Sequence, residues 1–130
     1  MNDMIFDEYQ NCVNDCLIRH NNILDIITKY SETNSKVNRA IAKSITNCGC
    51  INVKNISCIN NEENNINNGI SSDNKTSCVA CADCREVIEK EIGNNLFYLT
   101  SLCNLLGISL YDIIIREYNK MITLGKFNLN

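Results

Sequence analysis

The chain contains no proline, no tryptophan and only five glycines among its 130 residues. Proline breaks helices and glycine weakens them, so their scarcity permits long uninterrupted helices and disfavours a turn-rich β fold. The N-terminus lacks an apolar run of signal-peptide length, and no stretch approaches the roughly 18 apolar residues of a membrane span. We therefore expect an all-α, cytoplasmic protein that does not enter a membrane.

The composition is that of one small globular protein. Apolar residues make up 45% of the chain and the formal net charge is −3. The length predicts a single helical domain over residues 1–130. The negative charge, with no basic stripe, argues against a nucleic-acid partner. Heavy use of asparagine, isoleucine and lysine indicates an AT-rich bacterial genome.

Hydrophobic periodicity predicts four helices, over residues 3–19, 23–46, 82–106 and 110–122. Asn22 is expected to cap the second helix by accepting a hydrogen bond from the backbone N–H of Asp25. Gly107 ends the third helix, and Ser109 caps the fourth with Asp112 three residues on. The expected architecture is a four-helix bundle of two antiparallel hairpins.

The stretch between the second and third helices has a different composition. Nine of the 27 residues in 51–77 are asparagine, accompanied by serine, glycine and aspartate. No period survives there, which predicts a long, flexible, Asn-rich loop inserted in the domain. A loop of that length in a compact domain requires something that holds its two ends together.

Two cysteine pairs flank this loop. Cys48-x-Cys50 closes the second helix, and Cys81-x-x-Cys84 opens the third. Cytosolic thiols stay reduced, so a metal site outranks a disulfide framework. Zinc takes about four thiolate or imidazole ligands in a tetrahedron, and two pairs from two segments supply them. The sequence therefore predicts a structural zinc site at these four cysteines.

Other interpretations of the nine cysteines stay open. The cysteines of the predicted site could be free, reduced thiols, or two of them could form a regulatory disulfide. A third alternative is an iron–sulfur cluster bound by the run Cys78-x-x-Cys81-x-x-Cys84. Cys58 and Cys78 are additional candidate ligands. Three cysteines on helix faces are interpreted as small buried apolar residues: Cys12, Cys16 and Cys103.

His20 is the one histidine of the chain. It lies near the end of the first predicted helix, where it can cap carbonyls or serve as a further metal ligand. Without a second histidine or a serine or cysteine nucleophile motif, no catalytic triad is indicated.

Three segments carry a family resemblance. Residues 90–99 read KEIGNNLFYL and residues 105–113 read LLGISLYDI, while residues 31–41 read SETNSKVNRAI. They resemble the MazG-like all-α nucleotide pyrophosphohydrolases, in which E-[LI]-G-D-x-L-x-Y-L runs into L-G-[IL]-x-L after an upstream E-E-x-x-E-[LV]-x-x-A. The resemblance covers roughly residues 23–46 and 85–124 and implies a MazG-like helical bundle.

What the resemblance implies about the site can be followed position by position. In the family an E-x-x-E pair and an E-x-x-D pair bind magnesium, which holds the triphosphate while water attacks. The first pair falls on Thr33 and Lys36, and the second falls on Glu91 and Asn94. Glu91 keeps its carboxylate, and Glu32 is a neighbour of the first pair. The implied catalytic candidates are Glu91 and Glu32, with Lys36 and Asn94 as nucleotide contacts.

Each of these residues also has a simpler interpretation. Glu91 is equally typical of a solvated helix charge paired with a lysine. Lys36 and Arg39 are either exposed helix surface or contacts for a phosphate without hydrolysis. A shifted register would use Glu86 and Glu89, which are also three residues apart.

These observations lead to three hypotheses for the function. The first is a divergent MazG-like protein without pyrophosphohydrolase activity, acting as a zinc-stapled interaction or regulatory module. The second is a magnesium-dependent nucleoside triphosphate pyrophosphohydrolase, and the third is a redox or metal sensor. The resemblance and the apolar stripes on thin helices both indicate a homodimer or a higher homo-oligomer, with a nucleotide or a protein as a further partner.

Overall fold

The computed structural model describes residues 2–17, 22–52 and 79–128, with side chains for residues 4–17, 22–52 and 79–125. Every regular element in these ranges is helical, which confirms the all-α prediction. The predicted insert lies outside the described residues except for Ile51 and Asn52. Cys58, Cys78 and His20 also lie outside them.

Four α-helices make up the described chain, and they follow the predicted bounds closely. Helix α2 continues into a short π-helical segment, which the periodicity did not predict. Helix α4 runs six residues beyond its predicted end at residue 122. The elements are α1 (Asn2–Cys16), α2 (Ile23–Lys43), the π segment (Ser44–Cys48), α3 (Ala82–Leu105) and α4 (Leu110–Asn128).

Side chains and glycine end the helices largely as predicted. Asn22 Oδ1 accepts a hydrogen bond from the N–H of Leu24 at 2.9 Å, so the cap is confirmed but its donor is not Asp25. An N-cap oxygen can reach either the second or the third N–H of a helix, and here it reaches the second. Ser109 Oγ accepts from the N–H of Asp112 at 3.2 Å, as expected.

Gly107 ends α3 in a Schellman motif. Its φ of +67° is left-handed, a conformation that favours glycine. The N–H of Ile108 donates to the carbonyl of Cys103 at 2.8 Å, and the N–H of Gly107 donates to that of Asn104 at 3.3 Å. These bonds satisfy two carbonyls at the helix end and turn the chain toward α4.

The chain divides into two compact units, one made of Met1–Ser31 with Asn95–Asn130 and the other of Glu32–Asn94. The core of the first unit is small. Val13 of α1, Leu17 directly after α1 and Ile26 of α2 are buried there, and Ile26 is 0% exposed. Partly buried residues that pack around them are Tyr9, Phe97, Tyr98, Leu102 and Leu105.

Gln10 ties α1 to the α3–α4 connection in the first unit. Its Nε2 donates to the carbonyl of Ile108 at 2.7 Å, and its Oε1 accepts from the N–H of Leu110 at 2.9 Å. Asn104 Nδ2 donates to the backbone carbonyl of Gln10 at 3.0 Å. The nitrogen and the oxygen of the Gln10 side-chain amide therefore satisfy two backbone groups that the turn leaves without a helical partner.

Parts of the apolar faces that the helical period predicts are wrong. The period places Ile23 and Ile27 on the buried face of α2, but these are 38% and 46% exposed, and Ile26 is buried in their place. It also predicts that Tyr118 of α4 faces inward, but Tyr118 is 61% exposed. Every residue from 115 to 124 is exposed, so the burial of α4 is limited to its first turns.

The second unit contains residues 32–43 of α2, the π segment and residues 82–94 of α3. Its buried residues are small: Thr33, Ala40 and Ser44 are 6%, 8% and 1% exposed. Ser44 Oγ donates to the carbonyl of Ala40 at 3.0 Å, which satisfies the buried hydroxyl. This unit carries all four predicted metal ligands.

Across the three described ranges, no helix by itself has the length and apolarity needed to cross a membrane. Helices α3 and α4 reach that length and composition only as a pair, bent by 107° at the break between them.

Candidate metal centre

The structure brings the four predicted ligands together. The Sγ atoms of Cys48, Cys50, Cys81 and Cys84 all lie within 4.8 Å of one another. Cys48 Sγ and Cys81 Sγ are 3.7 Å apart, although 33 residues separate them in the chain. Among the residues described, this is the one set of three or more histidine, cysteine or acidic side chains close enough to share an ion.

The π segment and Gly49 place the first pair. Five residues, Ser44–Cys48, widen the end of α2, and Gly49 then adopts a φ of +76° that ends the helix. The buried Ser44 carbonyl accepts from the N–H of Ile51 at 3.3 Å and from Cys50 Sγ at 3.6 Å. These contacts fold the chain back, so both sulfurs face the same point.

The second pair belongs to the start of α3. Cys81 immediately precedes the helix, and its carbonyl accepts from the N–H of Arg85 at 2.8 Å. The backbone N–H of Cys84 donates to the Cys81 sulfur, so Cys81 acts as the N-cap and its pKa falls to about 7. The positive end of a helix favours a thiolate, and the direction of the Cys81 pKa shift agrees.

Cys48 and Cys84 hold their protons more tightly. The pKa of Cys48 rises to about 12, chiefly through its hydrogen bond with Cys81 and then through Cys84 and Cys50. The Ser44 hydroxyl acts to lower the pKa of Cys84, but Cys81 and burial outweigh it and the pKa is raised. Of these three thiols, Cys81 therefore loses its proton first, and a metal must displace the protons of Cys48 and Cys84.

The spacing of the sulfurs suits one tetrahedral ion. Zinc–sulfur bonds of about 2.3 Å give sulfur–sulfur edges of about 3.8 Å in a tetrahedron. The 3.7 Å between Cys48 and Cys81 matches that edge and is much longer than a disulfide bond. An iron–sulfur cluster distributes its thiolates over several irons, so four sulfurs within 4.8 Å fit a single ion better.

The pKa difference predicts which thiol reacts first. In the metal-free protein at about pH 7.5 we expect iodoacetamide to alkylate Cys81 well before Cys48, because the thiolate is the nucleophile. The Cys81 rate should rise as the pH passes about 7, whereas that of Cys48 should stay low up to about 12. Peptide mapping by mass spectrometry measures both rates. Equal rates at the two sulfurs would contradict the assignment, and metal-loaded protein serves as the protected control.

The remaining described cysteines divide into two kinds. Cys103 is 6% exposed, and burial raises its pKa, which confirms the prediction of a small buried residue. Cys12 and Cys16 were predicted to be buried as well, but both are exposed. Val13 and Leu17, one position further along the chain, occupy the core face instead.

The residues implied by the family resemblance contact one another in pairs. Asn94 Nδ2 donates to Glu91 Oε1 at 3.2 Å, and Lys36 Nζ lies 3.3 Å from Glu32 Oε1. Thr33, which stands at the first position of the family's E-x-x-E pair, is 6% exposed. The catalytic roles of Glu91 and Glu32 and the nucleotide contacts of Lys36 and Asn94 stay predictions.

Ser44 is the functional residue that the sequence reasoning missed. Its carbonyl accepts from Cys50 Sγ and its hydroxyl acts to lower the pKa of Cys84. In the sequence, however, it stands between Lys43 and Ile45 with no recognisable motif. A serine one turn before a Cys-x-Cys pair is the signal that was present.

Comparison of the chain with protein-family models, with curated proteins and with solved structures gave no match. The MazG-like resemblance therefore stays a prediction drawn from the sequence, and the function rests on the geometry of the site.

Proposed function

We propose that the chain is a zinc-stapled helical interaction or regulatory protein, in which one ion joins two helix ends. The observation that carries the proposal is the convergence of four cysteine sulfurs within 4.8 Å. Thiolates are soft ligands, and four of them in a tetrahedron are typical of zinc. Four protein ligands leave no open position for substrate, so the role is structural rather than catalytic.

The ion would join the end of the π segment to the start of α3. The sulfurs of Cys50 and Cys81 enclose the intervening chain of about 30 residues, whose closure entropy grows only slowly with length. Metal binding of this kind adds directly to folding free energy, because the unfolded chain has no preformed site.

Elemental analysis of anaerobically purified protein tests the proposal. We expect about one zinc per chain, with the other five of the nine cysteines free in a thiol titration under native conditions. Absence of metal, or iron together with acid-labile sulfide, would rule out the zinc staple.

We further propose a divergent MazG-like protein without pyrophosphohydrolase activity. Lys36 and Asn94 stand where the family has carboxylates, and an ammonium group opposes a divalent cation. The alternative, a magnesium-dependent pyrophosphohydrolase, would rely on Glu91 and Glu32. Release of pyrophosphate from a nucleoside triphosphate, dependent on magnesium and abolished by Glu91→Gln, would favour that alternative.

A redox or metal sensor is the second alternative, and the 3.7 Å between Cys48 and Cys81 supports it. With a peroxide as oxidant, the two thiols would lose two electrons and two protons to form a disulfide, and the peroxide would leave as two waters. Oxidant-dependent, dithiothreitol-reversible loss of the bound metal would favour this function.

We propose a second copy of the chain as a partner. Apolar side chains three and four residues apart share one face of α4, and all are exposed: Ile115, Tyr118, Met121 and Ile122. An isologous dimer covers such a stripe with the same stripe of the other copy. The flanking Arg116 and Glu117 carry opposite charges, so two identical faces can approach without net repulsion.

Replacing Tyr118 with lysine should dissociate the homo-oligomer. Tyr118 is 61% exposed in the single chain, so its replacement leaves the core intact while it places a charge in the apolar stripe. Light scattering after size exclusion should report a fall to monomer mass with an unchanged helical circular dichroism spectrum. Asn119→Lys adds the same charge one position away and should keep the mass. A monomeric wild-type protein would contradict the partner proposal.

A further inference from the structure

Two adjoining cavities line the groove between α2 and α3 within the second unit. One has a volume of about 280 Å³ and lies beside Cys48 and Cys84. The other has a volume of about 210 Å³ and is lined by Lys36, Arg39 and Glu91. Ala40, Lys43 and Val87 line both, so the two cavities form one continuous groove.

The second cavity is positively charged although the chain as a whole is acidic. Lys36, Arg39 and Lys43 are spaced by three and four residues, which places them on one face of α2. Among the described residues, Glu91 is the one carboxylate that lines this cavity. Lys36 pairs with Glu32, but no described residue forms an ion pair with Arg39 or Lys43. Two cations therefore line the groove without an ion-pair partner among the described residues.

The first cavity offers an apolar surface next to these cations. Its walls include Ala40, Lys43 and Val87, which is 52% exposed, together with Asp83. Burial of that valine by a ligand would remove apolar surface from water, which is favourable. The groove thus presents an apolar end near the cysteines and a cationic end near Arg39.

We propose that this groove binds a small phosphate monoester, with the phosphate held by Lys36, Arg39 and Lys43 and an apolar body in the cavity beside Cys48 and Cys84. The guanidinium fork of Arg39 matches two phosphate oxygens, and the two ammonium groups act as point charges. Binding requires no magnesium, because the protein supplies the positive charge.

Glu91 selects the kind of anion. Asn94 donates to one of its oxygens at 3.2 Å, which holds the carboxylate in place at the cationic end. A phosphate monoester has a second pKa of about 6, so near that pH it retains a hydrogen that a carboxylate can accept. Sulfate has no such hydrogen and would meet the carboxylate only as a repelling charge.

Isothermal titration calorimetry on the full-length, metal-loaded chain tests the proposal, with phenyl phosphate, inorganic phosphate and sulfate as probes at about pH 6 and constant ionic strength. We expect phenyl phosphate to bind most tightly, inorganic phosphate less tightly and sulfate most weakly. Arg39→Gln should weaken phenyl phosphate binding by about tenfold or more, and Arg39→Lys by less. Glu91→Gln should bring the affinities for sulfate and phosphate together.

Lys90→Gln is the matched control. It removes the same charge from an exposed position on α3 that lines neither cavity, and its affinity should equal that of the wild type. No binding of phenyl phosphate at millimolar concentration would overturn the proposal. An equal loss in Lys90→Gln and Arg39→Gln, or equal affinities of the wild type for phosphate and sulfate, would identify general charge screening and overturn it as well. Metal content measured on the same samples keeps a failure of the groove separate from a failure of the zinc site.

Discussion

Replacing Cys81 with serine should release the bound metal and lower the melting temperature by more than the loss of any single side-chain contact would. Cys81 provides one of the four converging sulfurs and also caps α3 through the N–H of Cys84. A serine hydroxyl can retain the cap, but it is a poor ligand for a soft site. Structural zinc contributes about 10–16 kcal/mol of apparent binding free energy in small zinc-dependent folds, so loss of the ion exceeds the effect of any one side-chain contact.

Metal content by elemental analysis and unfolding by circular dichroism measure the two consequences. Cys12→Ser is the matched control, because Cys12 is exposed on α1 and belongs to no cluster of described residues. It should leave both quantities unchanged. Wild-type metal content together with an unchanged melting temperature in Cys81→Ser would refute the metal centre.

Replacing Ile26 with alanine should destabilise the first unit by about 2–5 kcal/mol, the usual cost of emptying a fully buried aliphatic site. Ile26 is 0% exposed, and only two other apolar side chains, Val13 and Leu17, are buried with it in the described core cluster. Small domains unfold at a total cost of about 5–15 kcal/mol, so this single change removes a large share of the stability.

Urea unfolding followed by circular dichroism measures the loss. Leu24→Ala, two positions earlier on the same helix, removes a side chain of the same size that is 68% exposed, and it should cost little. Equal destabilisation by the two variants would show that Ile26 does not anchor the core.

Much of this fold follows from local sequence signals. The start of α2 after Asn22, the turn at Gly107 and the start of α4 after Ser109 each depend on one residue and its nearest backbone groups. Such signals act over a few residues, so they can be interpreted without the rest of the chain.

Which side of each helix is buried could not be predicted in the same way. Ile23, Ile26 and Ile27 are all isoleucine, and only the packing partners decide which of them is buried. The same limit applies to Tyr118, whose apolar character fits equally well in a core and in a contact with another chain. Periodicity identifies a face, and tertiary contacts determine what covers it.

The metal ligands were predictable in identity but not in geometry. The Cys-x-Cys and Cys-x-x-Cys spacings marked the four residues, because few other roles require two close pairs in one chain. The π segment that orients Cys48 has no such signature, since Ser44–Cys48 fits an ordinary α-helix equally well by composition. Nor did the sequence show that Lys43 lines the cavity beside Cys48 and Cys84.

The position of Cys81 at the first turn of α3 has a consequence for the order in which the chain folds. Starting a helix is its costly step, because several residues are fixed before the first hydrogen bond is gained. The sulfur that satisfies the N–H of Cys84 is also one of the converging ligands. Metal binding and helix nucleation therefore both use the Cys81 sulfur, so each should lower the barrier to the other. We expect α3 to elongate from its cysteine end.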